Sequence, residues 1–380
     1  MKYYLIAGEA SGDLHASNLM KEILAFDKEA DFRFYGGDKM KAVGGSLVKH
    51  YRELALMGII EVFKNLRKFA GFLNDCKNDV LEFHPDVLIL IDYSGFNLRM
   101  AKAVRKYRIP VYYYITPKLW AWGKSRAKKI RRYVDKVFVI LPFEVEFFKK
   151  LNIKAQFFGN PVADEISNFS KAYKETGEEF RSKNKLDDKQ IIALLAGSRI
   201  QEINLCLPEM IEAAKKISGY QFVIAGASSI PRDYYDSFIE KTGIRLVYDQ
   251  TYALLKHSYA AVVTSGTATL ETALLNIPQV VIYKTSSGTY SLGQFFIKLG
   301  VIHVKFFSLV NIILDRELVK ELLQYNLVDS IIPELSQLLN SDERRKEILD
   351  GYDEMKGLLG GQGASKRVAE EIVGLLSGKK

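Results

Sequence analysis

Several short stretches carry side chains whose type and spacing could do chemistry. Ala7-Gly8-Glu9-Ala10-Ser11-Gly12-Asp13-Leu14-His15 joins an apolar run to a helical pattern. Glycines there let backbone N–H groups approach an anion at a helix N-terminus, although the dinucleotide fingerprint GxGxxG is absent. The loop reads either as turn glycines with Asp13 as a helix cap, or as a ligand-facing loop built on Gly8, Glu9, Ser11, Asp13 and His15. Asp92, in Ile91-Asp92-Tyr93-Ser94-Gly95-Phe96-Asn97, follows the apolar run Val87–Ile91. A carboxylate at the end of a buried strand lies beside apolar walls that raise its pKa, which suits a general base. Capping a helix that starts near Gly95 would explain the same Asp92. Both tryptophans, Trp120 and Trp122, stand beside Lys118, Lys124 and Arg126, offering stacking and charge to a polar ligand or an anchor at a lipid interface. Gly159-Asn160-Pro161 is a tight turn.

The second half of the chain repeats the pattern. In Leu195-Ala196-Gly197-Ser198-Arg199, Gly197 and Ser198 would open helix amides to a phosphate, with Arg199 as a bidentate clamp. Thr264-Ser265-Gly266-Thr267-Ala268-Thr269-Leu270-Glu271 runs from a strand through a small-residue turn into a helix. A Glu in a first helical turn favours the helix dipole. In a nucleotide site the same Glu271 could accept both ribose hydroxyls while the amides of Ser265, Gly266, Thr267 and Ala268 hold a diphosphate. No Asp-x-Asp triplet occurs and the five histidines are scattered, so neither a divalent metal nor another cofactor is expected.

These loops need elements to position them. Strands are expected at Tyr3–Ala7, Phe32–Tyr35, Val87–Ile91, Val111–Tyr114, Lys136–Ile140 and Ala155–Phe158, then at Ile191–Leu195, Gln221–Ala225, Arg245–Tyr248, Ala260–Val263 and Gln279–Tyr283. Many are apolar throughout, as strands buried on both faces should be. Helical patterns between them predict right-handed βαβ units in an α/β fold of two Rossmann-like, doubly wound parallel-sheet domains. The expected division is 1–166, a polar linker at 167–190, a second domain at 191–340, and C-terminal helices at 341–380. Those helices could cap the second domain, reach back to the first, or pack on a partner subunit. Ligands of such folds bind at the carboxyl ends of strands.

Composition narrows the class further. The 380 residues are 48% hydrophobic and 26% charged, which excludes disorder, collagen and coiled coil. Cys76 and Cys206 are the only cysteines and read as free thiols of a reducing compartment. No signal peptide and no membrane-length apolar run is evident, so a cytoplasmic location is expected. A formal charge of +9 invites an anionic partner, but no RRM, KH or helix-turn-helix pattern supports nucleic acid. Two stretches could dock on an anionic bilayer: an apolar helical stripe at 59, 62, 63, 66, 69, 70 and 73, and the basic run from Lys124 to Arg132.

In order along the chain, GEASGD, ELALMGIIEV, IDYSGFN, TPKLWAWGKSR, LPFE, FFGNP, GSRIQEI, TSGTATLE and LVNIILDRELVKELLQ resemble the lipid-A-disaccharide synthase family, from Ile6 to about Gln324. The resemblance implies a GT-B glycosyltransferase, two Rossmann-like domains facing a central crevice. It would join UDP-2,3-diacylglucosamine to 2,3-diacylglucosamine 1-phosphate (lipid X) through a β-1,6 bond, with inversion, without metal, and with release of UDP. It implies Asp92 as the catalytic base, and Arg199 with the turn before Glu271 as the UDP site. Asn311 and Glu317 are implied to line that same site, and Glu9, a second catalytic candidate beside Asp92, and Asp13 to lie on the sugar or acceptor side. Asn97, Trp120 and Asn160 join them as expected substrate contacts. Gly95 stands where other members often have a second Asp, which leaves no helper carboxylate at that position. Work at the cytoplasmic face of an inner membrane follows, and a homodimer is an open expectation. A non-hydrolysing UDP-sugar 2-epimerase shares the architecture but would release UDP without an acceptor.

Overall fold

A computed structural model describes residues 1–55, 66–120, 124–240, 242–286 and 305–378. The chain divides into two compact units, Met1–Pro161 with Gly360–Lys380, and Val162–Leu359. The first unit holds seven parallel strands: β1 (Lys2–Ala7), β2 (Asp31–Gly36), β3 (Ser46–His50), β4 (Val87–Ile91), β5 (Val111–Tyr114), β6 (Lys136–Val139) and β7 (Ala155–Phe157), in the order β3-β2-β1-β4-β5-β6-β7. Leu5 of β1 sits between Phe34 of β2 and Ile89 of β4. Successive side chains leave opposite faces of a strand, and both faces are covered. Tyr4, Ile6, Leu88, Leu90 and Tyr113 pack with the helix Ser94–Val104 on one face. Tyr3, Leu5, Ile89 and Tyr112 pack with the helix Ala10–Phe26 on the other.

The second unit holds β8 (Ile191–Leu195), β9 (Gln221–Gly226), β10 (Arg245–Tyr248), β11 (Ser258–Thr264), β12 (Gln279–Tyr283) and β13 (Glu321–Leu323), all parallel, in the order β10-β9-β8-β11-β12-β13. Strand order therefore reverses between β1 and β4, and again between β8 and β11. Two strands were not legible beforehand, β3 and β13, and both are sheet edges. An edge strand shows one side to water and needs no continuous apolar run; β13 is also only three residues long.

The units divide elsewhere than composition suggested. The stretch 167–190 is no linker: Pro161–Ala172 and Gly177–Asn184 are helices whose Phe169, Tyr173 and Phe180 pack into the core under β8 and β11. Thr176 and Glu179 form a reciprocal capping box there. The C-terminal helices are also split between units. Asp342–Leu358 stays in the second, where the buried Tyr352 hydroxyl donates to the Ile277 carbonyl at 3.1 Å. Ala364–Ser377 belongs to the first, burying Val368, Ala369, Ile372 and Leu376 against Leu19, Met20 and Ile23. Ile372→Ala should lower the stability of the first unit by about 2–5 kcal/mol, read as an earlier midpoint in urea; an unchanged midpoint would mean that this helix adds nothing to that core.

Candidate active site

Loops that follow β1 and β4 flank the first reversal of strand order, where open α/β sheets bind ligands. They touch there: a Cβ on Gly8 would lie 2.3 Å from the Tyr93 ring, so only glycine lets the two loops approach. Asp92 and Tyr93 are consecutive left-handed residues, with φ of 46° and 43°. Ile115, at the end of β5, is left-handed too at φ 61°, an uncommon state for a β-branched residue. Such strain persists only where the surroundings over-determine it, and here they do. The Asp92 carbonyl accepts from the Tyr113 hydroxyl at 2.7 Å and from Asn97 Nδ2 at 2.8 Å. Asn97 also donates to the Ile91 carbonyl at 3.1 Å. The Asp92 N–H donates to Ile115 O at 3.2 Å. Tyr113 and Asn97 are completely buried, while Asp92 is half-buried at the end of the apolar β4. The helix Ser94–Val104 takes Tyr93 as its N-cap residue, without a side-chain cap from that tyrosine.

Three residues expected to contact substrate are buried and hydrogen-bond to the backbone. Asn97 closes the Asp92 elbow. Asp13, 3% exposed, accepts the amides of Gly37 at 2.8 Å, Lys39 at 3.0 Å and Met40 at 3.1 Å, capping the short helix Asp38–Val43. Asn160, 0% exposed, donates to the Ile140 carbonyl at 3.0 Å and ties the turn after β7 to the end of β6. Glu9 and Ser11 are exposed on the rim, and burial together with the Glu9 charge pushes the Tyr93 hydroxyl up. Trp120 is half-buried and donates to Glu144 Oε1 at 3.2 Å. Glu144, in Leu-Pro-Phe-Glu, had no role assigned from the sequence. Its other oxygen accepts the Leu141 amide at 3.0 Å, and burial pushes its carboxyl up to about 7. It anchors the tryptophan loop. Arg126 donates to the Ser94 hydroxyl at 3.2 Å, which places the start of the basic helix Lys124–Tyr133 beside Asp92. Trp122, the Lys124 side chain and residues 59–65 of the apolar stripe lie outside the described residues. The described end of that stripe is core: Phe69 and Leu73 pack against it.

Loops after β8 and β11 flank the second reversal. Gly197 has φ 109°, and a Cβ there would meet the Glu202 carboxylate. Glu202 folds back to accept the Ser198 amide at 3.0 Å and Arg199 Nη1 at 3.1 Å. It thereby shows how an anion sits at the N-terminus of the helix Ile200–Lys215. Arg199 is otherwise largely exposed. In the second loop Ser265 Oγ donates to the Phe307 carbonyl at 2.7 Å, and Gly266 leads into the helix Thr267–Leu274. Thr267 is exposed and Ala268 half-buried on its first turn. Glu271 is in the second turn rather than the first, half-buried, and burial followed by the Glu165 charge pushes its carboxyl up to about 7.

Asn311 and Glu317 do not join this group. Asn311 is 0% exposed; its oxygen accepts the Leu318 and Val319 amides, and its nitrogen donates to Val319 O and to Glu321. All of its capacity goes into the turn that feeds β13. Glu317 is exposed in that turn, 3.6 Å from Lys320. Preceding a parallel strand, it lies toward the amino ends of the sheet, opposite the two loops. Among the described residues no cluster of His, Cys, Asp and Glu could hold a metal ion, and no helix is long and apolar enough to cross a membrane.

A model of the lipid-A-disaccharide synthetase family matches residues 3–371. The chain belongs to the lipid-A-disaccharide synthase family. Relatives include the synthase of Myxococcus xanthus, 38% identical over 98% of this chain and 97% of that protein. The synthase of Coxiella burnetii is 34% identical over 98% of each. Membership makes the chain a glycosyltransferase of lipid A biosynthesis. Its backbone is similar to that of a UDP-GlcNAc 2-epimerase from Neisseria meningitidis bound to UDP-GlcNAc, with a TM-score of 0.65 at 15% identity over 98% of this chain and 100% of the other. An S. aureus MnaA–UDP co-structure gives 0.67 at 13%, over 99% and 97%. Those likenesses are of fold, two Rossmann-like parallel-sheet domains.

Because Asn97 in this synthase family member supplies the donors to two buried carbonyls, Asn97→Ala should lower stability by about 1–3 kcal/mol. It should also reduce turnover by releasing the elbow. Thermal unfolding and steady-state rates measured together check this, and a variant of unaltered stability and rate would show that the elbow does not depend on it.

Proposed function

We propose that the chain transfers the 2,3-diacylglucosaminyl group of its UDP derivative to the 6-hydroxyl of 2,3-diacylglucosamine 1-phosphate, with inversion and without a metal. The observation that carries the assignment of roles is the Asp92 elbow, where buried donors hold the backbone carbonyl of a carboxylate-bearing residue at the end of an apolar strand, at a reversal of strand order. In this reading Asp92 removes the proton from the 6-hydroxyl. That oxygen attacks the anomeric carbon from the face opposite UDP, forming the new C–O bond as the bond to the diphosphate breaks. Arg199 and the amides of Ser198, Gly266 and Thr267 take the charge that develops on the leaving diphosphate. A diphosphate arriving there replaces the Glu202 carboxylate, which now occupies the Ser198 amide and the Arg199 guanidinium. Glu271 accepts the ribose hydroxyls. Gly95, where other members often have a second Asp, supplies no helper carboxylate at that position.

Asp92→Asn should keep the fold and lose at least ~100-fold in turnover, the low end for removal of a general base. Product formation followed by mass spectrometry with both acylated substrates checks it, and a mutant of near wild-type rate would assign the base elsewhere.

Both substrates of this reading carry acyl chains and negative charge, so the protein must work at a bilayer surface. Lys128, Lys129, Arg131 and Arg132 are exposed along the helix Lys124–Tyr133, while Ala127 and Ile130 face the core. Each basic residue near an anionic surface contributes about 1 kcal/mol and is screened by salt. Vesicles rich in anionic lipid should therefore bind the protein and release it in high salt. Changing these four residues to Ser should weaken that binding, with Arg126 left intact beside Ser94. Equal, salt-indifferent partition onto neutral and anionic vesicles would give the basic face another purpose.

A further inference from the structure

Two side chains that no motif marks converge on Glu271. The helix Thr251–Lys256 brings Tyr252, whose hydroxyl oxygen lies 3.1 Å from Glu271 Oε1. The same hydroxyl lies 2.9 Å from Oε1 of Glu165, on the helix Pro161–Ala172. A tyrosyl hydroxyl has one proton to donate. With both carboxylates ionised, one of these contacts would set lone pair against lone pair, which favours uptake of a second proton by the cluster. Burial and the two carboxylates push the Tyr252 hydroxyl far above its ordinary range, so of Tyr252 and Glu271 the latter is the group that titrates. Burial and then Glu165 push Glu271 up to about 7, and the Tyr252 hydrogen bond pulls it back. Glu165 and Tyr252, each from a different helix, are the ionisable groups acting on Glu271 among the described residues.

We propose that Glu165 and Tyr252 are positioning residues for Glu271, holding it in a shared-proton cluster whose proton must leave before Glu271 accepts both ribose hydroxyls of a uridine nucleotide. The inference rests on the reading of Glu271 as the ribose acceptor. A neutral carboxyl keeps a proton on one oxygen and cannot take two donors as a carboxylate does. Below the Glu271 pKa the competent, ionised form is a minority, and observed affinity falls by that fraction. With a pKa of about 7, nucleotide binding should weaken about ten-fold between pH 8 and pH 6, and one proton should be released on binding at the lower pH.

The test is calorimetric titration with UDP-N-acetylglucosamine. Its diphosphate is esterified at both ends and lacks the phosphate ionisation near pH ~6 that would confuse free UDP. The wild type, Glu165→Gln, Tyr252→Phe and Glu271→Ala are compared across that pH range. Glu165→Gln removes a like charge, so the midpoint should move down and the affinity at pH 6 come within about two-fold of that at pH 8. Tyr252→Phe removes a bond that favours the ionised form, so the midpoint should move up. Opposite displacements by two neighbours are not what loss of packing produces. Packing alone would weaken binding at every pH and leave the midpoint in place, and that result overturns the proposal. So do superimposable profiles for the wild type, Glu165→Gln and Tyr252→Phe while Glu271→Ala binds weakly; the ribose reading then stands. If Glu271→Ala binds as tightly as the wild type, the ribose reading itself fails.

Discussion

Where the order of strands in a parallel sheet reverses, successive crossovers depart in opposite directions, and the carboxyl ends of two neighbouring strands are left uncovered by either. In the first unit the helix after β1 covers one face and the helix after β4 the other. The loops that carry Gly8 and Asp92 therefore meet over an open edge. In the second unit β8 and β11 stand in the same relation and present the loops of Gly197 and Ser265. Within each unit, loops far apart in sequence come together because its sheet reverses once.

An open edge also leaves backbone groups to satisfy. The last carbonyls of a central strand have lost their ladder partners yet lie too deep for water, and an unpaired buried carbonyl is costly. Much of the polar inventory of these loops answers that demand. Asn97 and Tyr113 serve the carbonyl of Asp92, Glu144 takes the amides after β6, Asp13 caps a neighbouring helix, and Asn311 closes the turn into β13. Each of these side chains hydrogen-bonds to the backbone of its own chain.

Glu202 and Glu271 show the same economy in the second unit, at groups still able to turn toward a ligand. Glu202 occupies an amide and a guanidinium suited to an anion. Glu271 is held by a hydroxyl that also serves a second carboxylate. In both, an internal group satisfies polar atoms of the loop or helix that carries it.

The sequence by itself determined the α/β class, eleven of the thirteen described strands, the edge strands β7 and β10 among them, and the loops that matter. Strands buried on both faces must be apolar throughout, and glycines must stand where loops crowd; both leave local marks, as in Val87–Ile91 and at Gly8 and Gly197. The family resemblance was legible for the same reason, since its motifs are those loops. Only the tertiary structure decided which polar residues face outward. Asp13, Asn97, Asn160 and Asn311 have the side chains of binding residues, and nothing local says whether their partner is a ligand or an amide distant in sequence. Nor could spacing reveal that Tyr252 and Glu165 reach Glu271, or that 167–190 packs as helices while the last helix returns to the first unit. Those are contacts between distant segments, and which segments meet depends on how βαβ crossovers stack rather than on any local pattern.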